Sequence, residues 1–412
     1  MIEDVLPATL VTAPAPERIE PRSRRRRTVT VIRSIGTAVP ESGFLQSELK
    51  EFMKRAHGAD ARLSRLLDVL YRRSGIDRRH SCLADYGRAP AEFEFFPRNP
   101  ASEDPPSTAR RMAMYREESV PLAIEAVKAA CSRLPAFRMR EITHLIVASC
   151  TGFFAPGLDV ELVTALGLSS RIARTLIGFQ GCHAGLSSLR VADAICRAER
   201  RATVLVVCVE LCTLHFQILP TEDNLLANSL FGDGACAVLL RAEEAASLDL
   251  TRSPGEPRLA ISRCASWLKA DTGKEMAWMV GDHGFEMRLS AMVPRLLGLH
   301  VGGFLEEAMG MKGPELKALD FWAVHPGGPA ILDEIERALA LDPSFLLPSR
   351  AILREFGNMS SPSVLFVLDR IRREMGMGEA ERRERSGVPE RGIALAFGPG
   401  LTLEAILFEV MR

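Results

Sequence analysis

Between residues 142 and 210, short β-branched runs take turns with amphipathic stretches of helical period, and this alternation restricts the fold more than any other feature. ITHLIVA (142–148) reads as a strand, 158–166 as a helix, 174–179 as a strand, 183–199 as a helix and ATVLVVCVE (202–210) as a strand. Such alternation predicts a layered α/β architecture around a buried sheet. The signals continue on both sides. VTVIRSIGTAVP (29–40) predicts the first strand, helices follow near 46–56, 62–72 and 114–132, and the proline-rich 85–108 predicts a long loop. Downstream, GACAVLLRA (234–242), RLAISRCAS (258–266) and DFWAVH (320–325) read as strands, with helices near 290–310 and 329–340. A further helix starts near Ser361, with Ser361 as its cap and Pro362 in its first turn. Strands IALAF (393–397) and TLEAILFEV (402–410) flank a Gly-Pro-Gly turn.

Each half of this pattern holds a strand that ends in a polar reactive residue, then a glycine turn, then a helix. The expected organisation is a tail at 1–28, an N-terminal half at 29–243 and a C-terminal half at 244–412, related by duplication. A chain of 412 residues, 47% of them hydrophobic, can bury a core of that size. The tail ends in Arg24 to Arg27 and reads as a mobile, solvated charge run. The 52 basic residues balance 52 acidic ones, which argues against a nucleic-acid partner. Nine cysteines without a CxxC pair speak against a zinc ribbon and for a reducing cytoplasm. No apolar run reaches membrane-spanning length, so no integral membrane association is expected. With neither a metal-ligand cluster nor a G-x-G-x-x-G fingerprint, no metal and no redox cofactor is expected.

Three segments can carry chemistry. In IGFQGCHAGLSSLRVADAICRA (177–198) a β-like run ends at Gln180-Gly181, Cys182 follows, and an amphipathic helix begins. Exposed N–H groups and the helix dipole favour thiolate there, which makes Cys182 a candidate nucleophile. In DFWAVHPGGPAILDEIERALAL (320–341) an apolar strand delivers His325 to a Pro-Gly-Gly turn. His325 can pair with the thiolate and can donate to a thioester carbonyl as an enolate forms. In REFGNMSSPSVLFVLDRIRREM (354–375) Asn358 precedes a helix; alone it reads as a turn residue, and beside a Cys and a His its amide is a second donor. A decarboxylating Claisen condensation needs this set: a thiol to hold the acyl chain and two donors for the enolate left by CO2.

GFQGCHAGLSSLR, LFGDGACAVLL, WAVHPGG, FGNMSSPSVLFVLDRIR and AFGPGLTLEAILF, in this order, resemble the signature segments of the type III polyketide synthases, the chalcone-synthase-like family. The resemblance covers the chain from about residue 29, except parts of 85–108. It implies a thiolase-like α/β fold of duplicated αβαβα layers, and an acyltransferase that takes CoA thioesters and no cofactor. It implies Cys182 as the acyl-holding nucleophile, with His325 and Asn358 as the decarboxylation pair. Phe231 matches a gatekeeper phenylalanine, and Met287 falls where the family has a second one. Cys150, Cys212 and His215 fall where plant members carry small hydroxyl residues, Ser360 keeps a cavity serine, and Trp278 stands where glycine is frequent. Arg73 matches a basic residue that meets the CoA phosphates. The segments ADTGKEMAWMVGDHGFEMRLSAMVP and FFPRNP…STARRM look closer to bacterial members, which often make alkylpyrones, alkylresorcinols or tetrahydroxynaphthalene. The implied partners are malonyl-CoA, a fatty or otherwise hydrophobic acyl-CoA starter, and a second copy of the chain. A malonyl-only synthase, a ketoacyl-ACP synthase III, a Cys-His-Asn hydrolase and a non-catalytic module of the same fold are the alternatives.

Overall fold

The computed structural model describes residues 28–99, 102–244, 257–377 and 390–411. The tail lies outside the described residues apart from Thr28, and the expected boundary between halves, 243/244, falls at the very end of a described strand. The first half runs β1 (Thr28–Ala38), β2 (Gly43–Leu45), α1 (Gln46–Ala56), α2 (Ala61–Arg73), β3 (Arg78–His80), α3 (Thr108–Ser132), β4 (His144–Ser149), α4 (Leu158–Ala165), β5 (Ala173–Gly178), α5 (Ala184–Ala198), β6 (Thr203–Leu211), α6 (Glu222–Leu230) and β7 (Asp233–Glu244). The second runs β8 (Arg258–Leu268), β9 (Met276–Gly281), β10 (Gly284–Leu289), α7 (Val293–Met309), α8 (Gly313–Lys317), β11 (Phe321–Val324), α9 (Pro329–Leu339), α10 (Leu347–Phe356), α11 (Ser363–Met377), β12 (Arg391–Gly398) and β13 (Thr402–Met411).

Nine strands form one sheet in the order β11-β12-β13-β8-β1-β7-β6-β4-β5. On one side of the β1–β8 seam, β4 runs parallel to β6, β6 antiparallel to β7, and β7 antiparallel to β1. On the other side β11, β12, β13 and β8 repeat that sequence of pairings, and β5 is an extra edge strand of the first set. Side-chain alternation then sets the layers. Val204, Val206 and Cys208 of β6 point into a central core with α5 and α11, while Leu205, Val207 and Val209 point into an outer core with α1, α2 and α3. In β12, Ala394 and Ala396 face the central core, and Ile393, Leu395 and Phe397 face a second outer core with α7 and α9. The result is five layers, helix–sheet–helix–sheet–helix. Central placement explains why Val364 to Leu368 of α11 are all buried, rather than one stripe of them.

Several elements differ from the sequence expectation. Helix α3 starts six residues before the expected 114, because the Ser107 side chain accepts from the Arg110 N–H and caps it. Within the expected loop, the Asp85 carboxylate accepts from the backbone N–H groups of Glu94, Phe95 and Phe96 and organises the turn. Ser361 does not cap α11, which starts two residues later; its hydroxyl donates to Glu210 at 2.6 Å. Helices α6 and α10 and the hairpin β9–β10 were not expected.

Candidate active site

Cys182 sits in a tight turn between β5 and α5. Gly181 has φ +73°, a conformation that favours glycine, and a Cβ there would meet Pro399 at 2.4 Å. One turn of 3-10 helix, Gly181–His183, then leads into α5, so the cysteine precedes the α-helix rather than opening it. His325 follows β11 directly; its N–H donates to the Leu395 carbonyl at 2.8 Å and its ring meets Phe397 edge-on at 5.5 Å. The ring is buried, and neither nitrogen has a protein partner among the described residues. With no fixed tautomer it can offer a lone pair or an N–H to a bound group. Asn358 is tied to the other half: its N–H donates to Leu230 at 2.9 Å, and the Gly232 N–H donates to its carbonyl at 3.0 Å. Its Oδ1 accepts from the Ser360 N–H at 2.8 Å and its Nδ2 donates to the Gly327 carbonyl at 3.2 Å. The second N–H of that amide group remains for the site.

These three residues line one cavity together with Cys150, Cys212, Phe231, Trp278, Met287 and Ser360. Met276, Leu289, Ile331 and Phe397 make most of its remaining wall apolar. Trp278 and Met287 are a cross-strand pair of β9–β10, and the indole N–H donates to the Cys150 carbonyl at 2.7 Å. His215 does not reach this cavity. It lines a neighbouring space, which shares Cys212, Phe231, Trp278 and Met287 as a partition. There His215 stacks on Phe285 at 4.1 Å, with its Nε2 2.7 Å from the Thr151 carbonyl and its Nδ1 accepting from the Phe285 N–H at 3.0 Å. Arg73 is exposed at the end of α2 and lines neither space.

Burial acts on the charge of both groups. Burial pushes the Cys182 thiol up to about 11, although hydrogen bonds from Ser360 and Asn358 pull it down. Burial also pushes His325 down to about 3. Burial thus works against the thiolate that the turn's exposed N–H groups favour.

Sequence reasoning missed Glu210, which is fully buried at the end of β6. Its carboxylate accepts from the Cys150 N–H at 2.9 Å, the Thr151 hydroxyl at 2.7 Å and the Cys150 thiol at 3.3 Å. A lone acid inside the apolar run TVLVVCVEL was the available signal. The thiol of Cys150 also lies 3.4 Å from the Ser360 hydroxyl, so Glu210 fixes one wall of the cavity. No group of His, Cys, Asp and Glu among the described residues could hold a metal, and no described helix is long and apolar enough to cross a membrane.

Residues 18–244 match the family model for the N-terminal domain of chalcone and stilbene synthases, and residues 262–412 match that for the C-terminal domain. The chain is 32% identical to the alpha-pyrone synthesis polyketide synthase-like Pks18 of Mycobacterium tuberculosis, over 93% of this chain and 92% of that one. It is 34% identical to bisdemethoxycurcumin synthase of Oryza sativa, over 94% of each. Among solved structures, PKS-I of the brown alga Ectocarpus siliculosus superposes with a TM-score of 0.82 at 29% identity, over 94% of this chain and 100% of that one. The C-terminal type III polyketide synthase domain of Steely1 from Dictyostelium gives 0.79 at 25% identity, over 93% of this chain and 100% of that domain.

Proposed function

We propose that this chain, which belongs to the chalcone and stilbene synthase family of type III polyketide synthases, loads a hydrophobic acyl group from CoA onto Cys182 and extends it with malonyl-CoA. The family consists of decarboxylating, condensing acyltransferases that take CoA thioesters and need no cofactor. In loading, His325 takes the Cys182 proton, the sulfur attacks the thioester carbonyl, and the CoA thiolate leaves and regains that proton. In extension, the bond between the malonyl carboxylate and its methylene breaks, CO2 leaves, and the electron pair moves onto the thioester oxygen. The His325 N–H and the second Asn358 N–H stabilise that oxygen. The carbanion then attacks the acyl carbonyl and displaces Cys182 as a thiolate. Each donor contributes about 3 kcal/mol, or about a hundredfold in rate. Cyclisation to a pyrone or a resorcinol-type ring ends the sequence.

The observation that carries the starter class is the apolar wall of the cavity around Cys182. Pks18, named for alpha-pyrone synthesis, supports the same product class. A second copy of the chain belongs to this reading. Strand β5 pairs on one edge with β4, and Phe153, Leu176 and Phe179 are exposed beside it. A dimer would cover this open edge, and a monomer in solution would overturn that part. Free thiols at all nine cysteines suit a cytoplasmic setting.

The deciding experiment supplies labelled malonyl-CoA with straight-chain acyl-CoA starters of graded length and one aromatic starter, and identifies products by mass spectrometry. Pyrones or resorcinols that retain the starter are expected. A naphthalenoid formed without starter would replace this reading with the malonyl-only one. Turnover confined to malonyl-ACP would replace it with fatty-acid initiation.

A further inference from the structure

The last carbonyls of α6 have no partner further along the helix and must find one elsewhere. The Ala227 carbonyl accepts from the Phe231 N–H at 3.1 Å. The Asn228 carbonyl accepts from Arg79 Nη1 at 2.9 Å and from the Tyr71 hydroxyl at 3.2 Å. The Ser229 carbonyl accepts from Gln46 Nε2 at 2.8 Å. The Leu230 carbonyl accepts from the Asn358 N–H at 2.9 Å, and the Phe231 carbonyl from Arg79 Nη1 at 2.5 Å. Side chains thus finish most of this helix end, and the Asn358 backbone takes the one place left between them. Arg79 and Gln46 work as a unit, since Arg79 Nε donates to Gln46 Oε1 at 2.9 Å.

Arg79, on β3, also packs on the other side of that contact. Gly357, the residue before Asn358, has φ +71°, and a Cβ there would meet Arg79 Cγ and Cδ at 2.8 Å. The Gly232 N–H returns to the Asn358 carbonyl at 3.0 Å, and a Cβ on Gly232 would lie 3.5 Å from Arg79 Cβ. Phe231 and Asn358 therefore form a small parallel bridge, with the guanidinium on one partner's carbonyl and the aliphatic stem against the residue before the other. Arg79 is 4% exposed and makes no ion pair among the described residues. A buried charge without a counter-ion is costly, and here the carbonyls at the negative end of α6 offset that cost. Its Nη2 has no protein partner, so Nε and Nη1 carry the whole attachment.

We propose that Arg79 is a positioning residue for malonyl decarboxylation that acts through Asn358: it holds the end of α6 and the Gly357 turn together, and so sets where the Asn358 amide stands. This rests on the reading of Asn358 as an enolate donor. Arg79 does not line the chamber around Cys182, and no atom or electron of the reaction passes through it. Loading of Cys182 does not use the Asn358 amide as a donor to substrate. A change at Arg79 should therefore separate decarboxylation from loading, whereas a general loosening of the fold would lower both.

The test follows CO2 release from malonyl-CoA labelled in its free carboxyl carbon, as kcat and KM on the full chain. Loading of Cys182 from an acyl-CoA is read beside it by intact-protein mass spectrometry. Arg79→Gln is expected to lower kcat for decarboxylation by about thirtyfold, within the hundredfold that a lost donor costs, and to leave KM and the loading rate within about threefold. In an Asn358→Ala background the same change should cost nothing further, since the group it positions is gone. Arg79→Lys keeps the charge without the fork and should recover only part of the loss. Gln46→Ala removes the partner of Arg79 Nε and acts the same way by less; it carries the comparison if Arg79→Gln does not fold. Equal losses of loading and decarboxylation in folded variants, or a cost that adds in full to that of Asn358→Ala, overturn the inference. Decarboxylation at the unaltered rate in Asn358→Ala would instead sink the donor reading beneath it.

Discussion

The cavity has two unlike walls. Cys182, His325 and Asn358 stand where buried elements of the nine-stranded sheet and its central helices end, and each is tied down by its backbone or by a neighbouring turn. Trp278 and Met287 stand on a two-stranded hairpin that pairs with itself alone and carries exposed Met279 and Val280. The chemistry is therefore held by the part of the molecule that cannot shift without unfolding. The shape of the chamber is set by a part that can change without disturbing the sheet.

Variants in the two walls should behave differently. The largest effect is expected from Cys182→Ala, which removes the acyl attachment point and should abolish product in the malonyl-CoA assay. His325→Ala and Asn358→Ala each remove an enolate donor and should lower malonyl decarboxylation by about a hundredfold, with loading of Cys182 still measurable in Asn358→Ala. Trp278→Gly opens the partition to the second chamber. It should shift products toward longer starters or more extensions while malonyl decarboxylation stays within several-fold, roughly 1 kcal/mol or less in barrier. A hundredfold loss of decarboxylation in Trp278→Gly would erase the distinction between the walls. The smallest effect is expected from Cys150→Ser, which keeps a donor toward Glu210 and Ser360; melting temperature and product profile should change little.

The same contrast explains what could be read from the sequence. Strands such as ITHLIVA and ATVLVVCVE are buried on both faces, so their apolar runs are continuous and visible. Cys182 and His325 each sit in a strand–turn–helix unit and Asn358 in the turn between α10 and α11, which left local signals: Gly181 before Cys182, Pro326-Gly327-Gly328 after His325, Gly357 before Asn358. The hairpin left none, because six-residue strands half exposed to solvent show little regular alternation. Position alone also misled. Cys182 does occupy the start of a helical segment, but burial pushes its thiol pKa up, and sequence does not show burial. His215 was expected in the catalytic chamber and lies one layer further, behind Trp278, since spacing from Cys182 does not reveal which side of the indole it faces. Glu210 acts through Cys150, 60 residues away in sequence, and Ser361, 151 away, and no local pattern reports such contacts.

The central claim is that Cys182 carries the acyl chain, and intact-protein mass spectrometry after brief exposure to a hydrophobic acyl-CoA tests it most directly. The account predicts one added acyl group per chain, mapped to the Cys182 peptide and absent from Cys182→Ala. An acyl group that maps to another cysteine, or persists in Cys182→Ala, would contradict it.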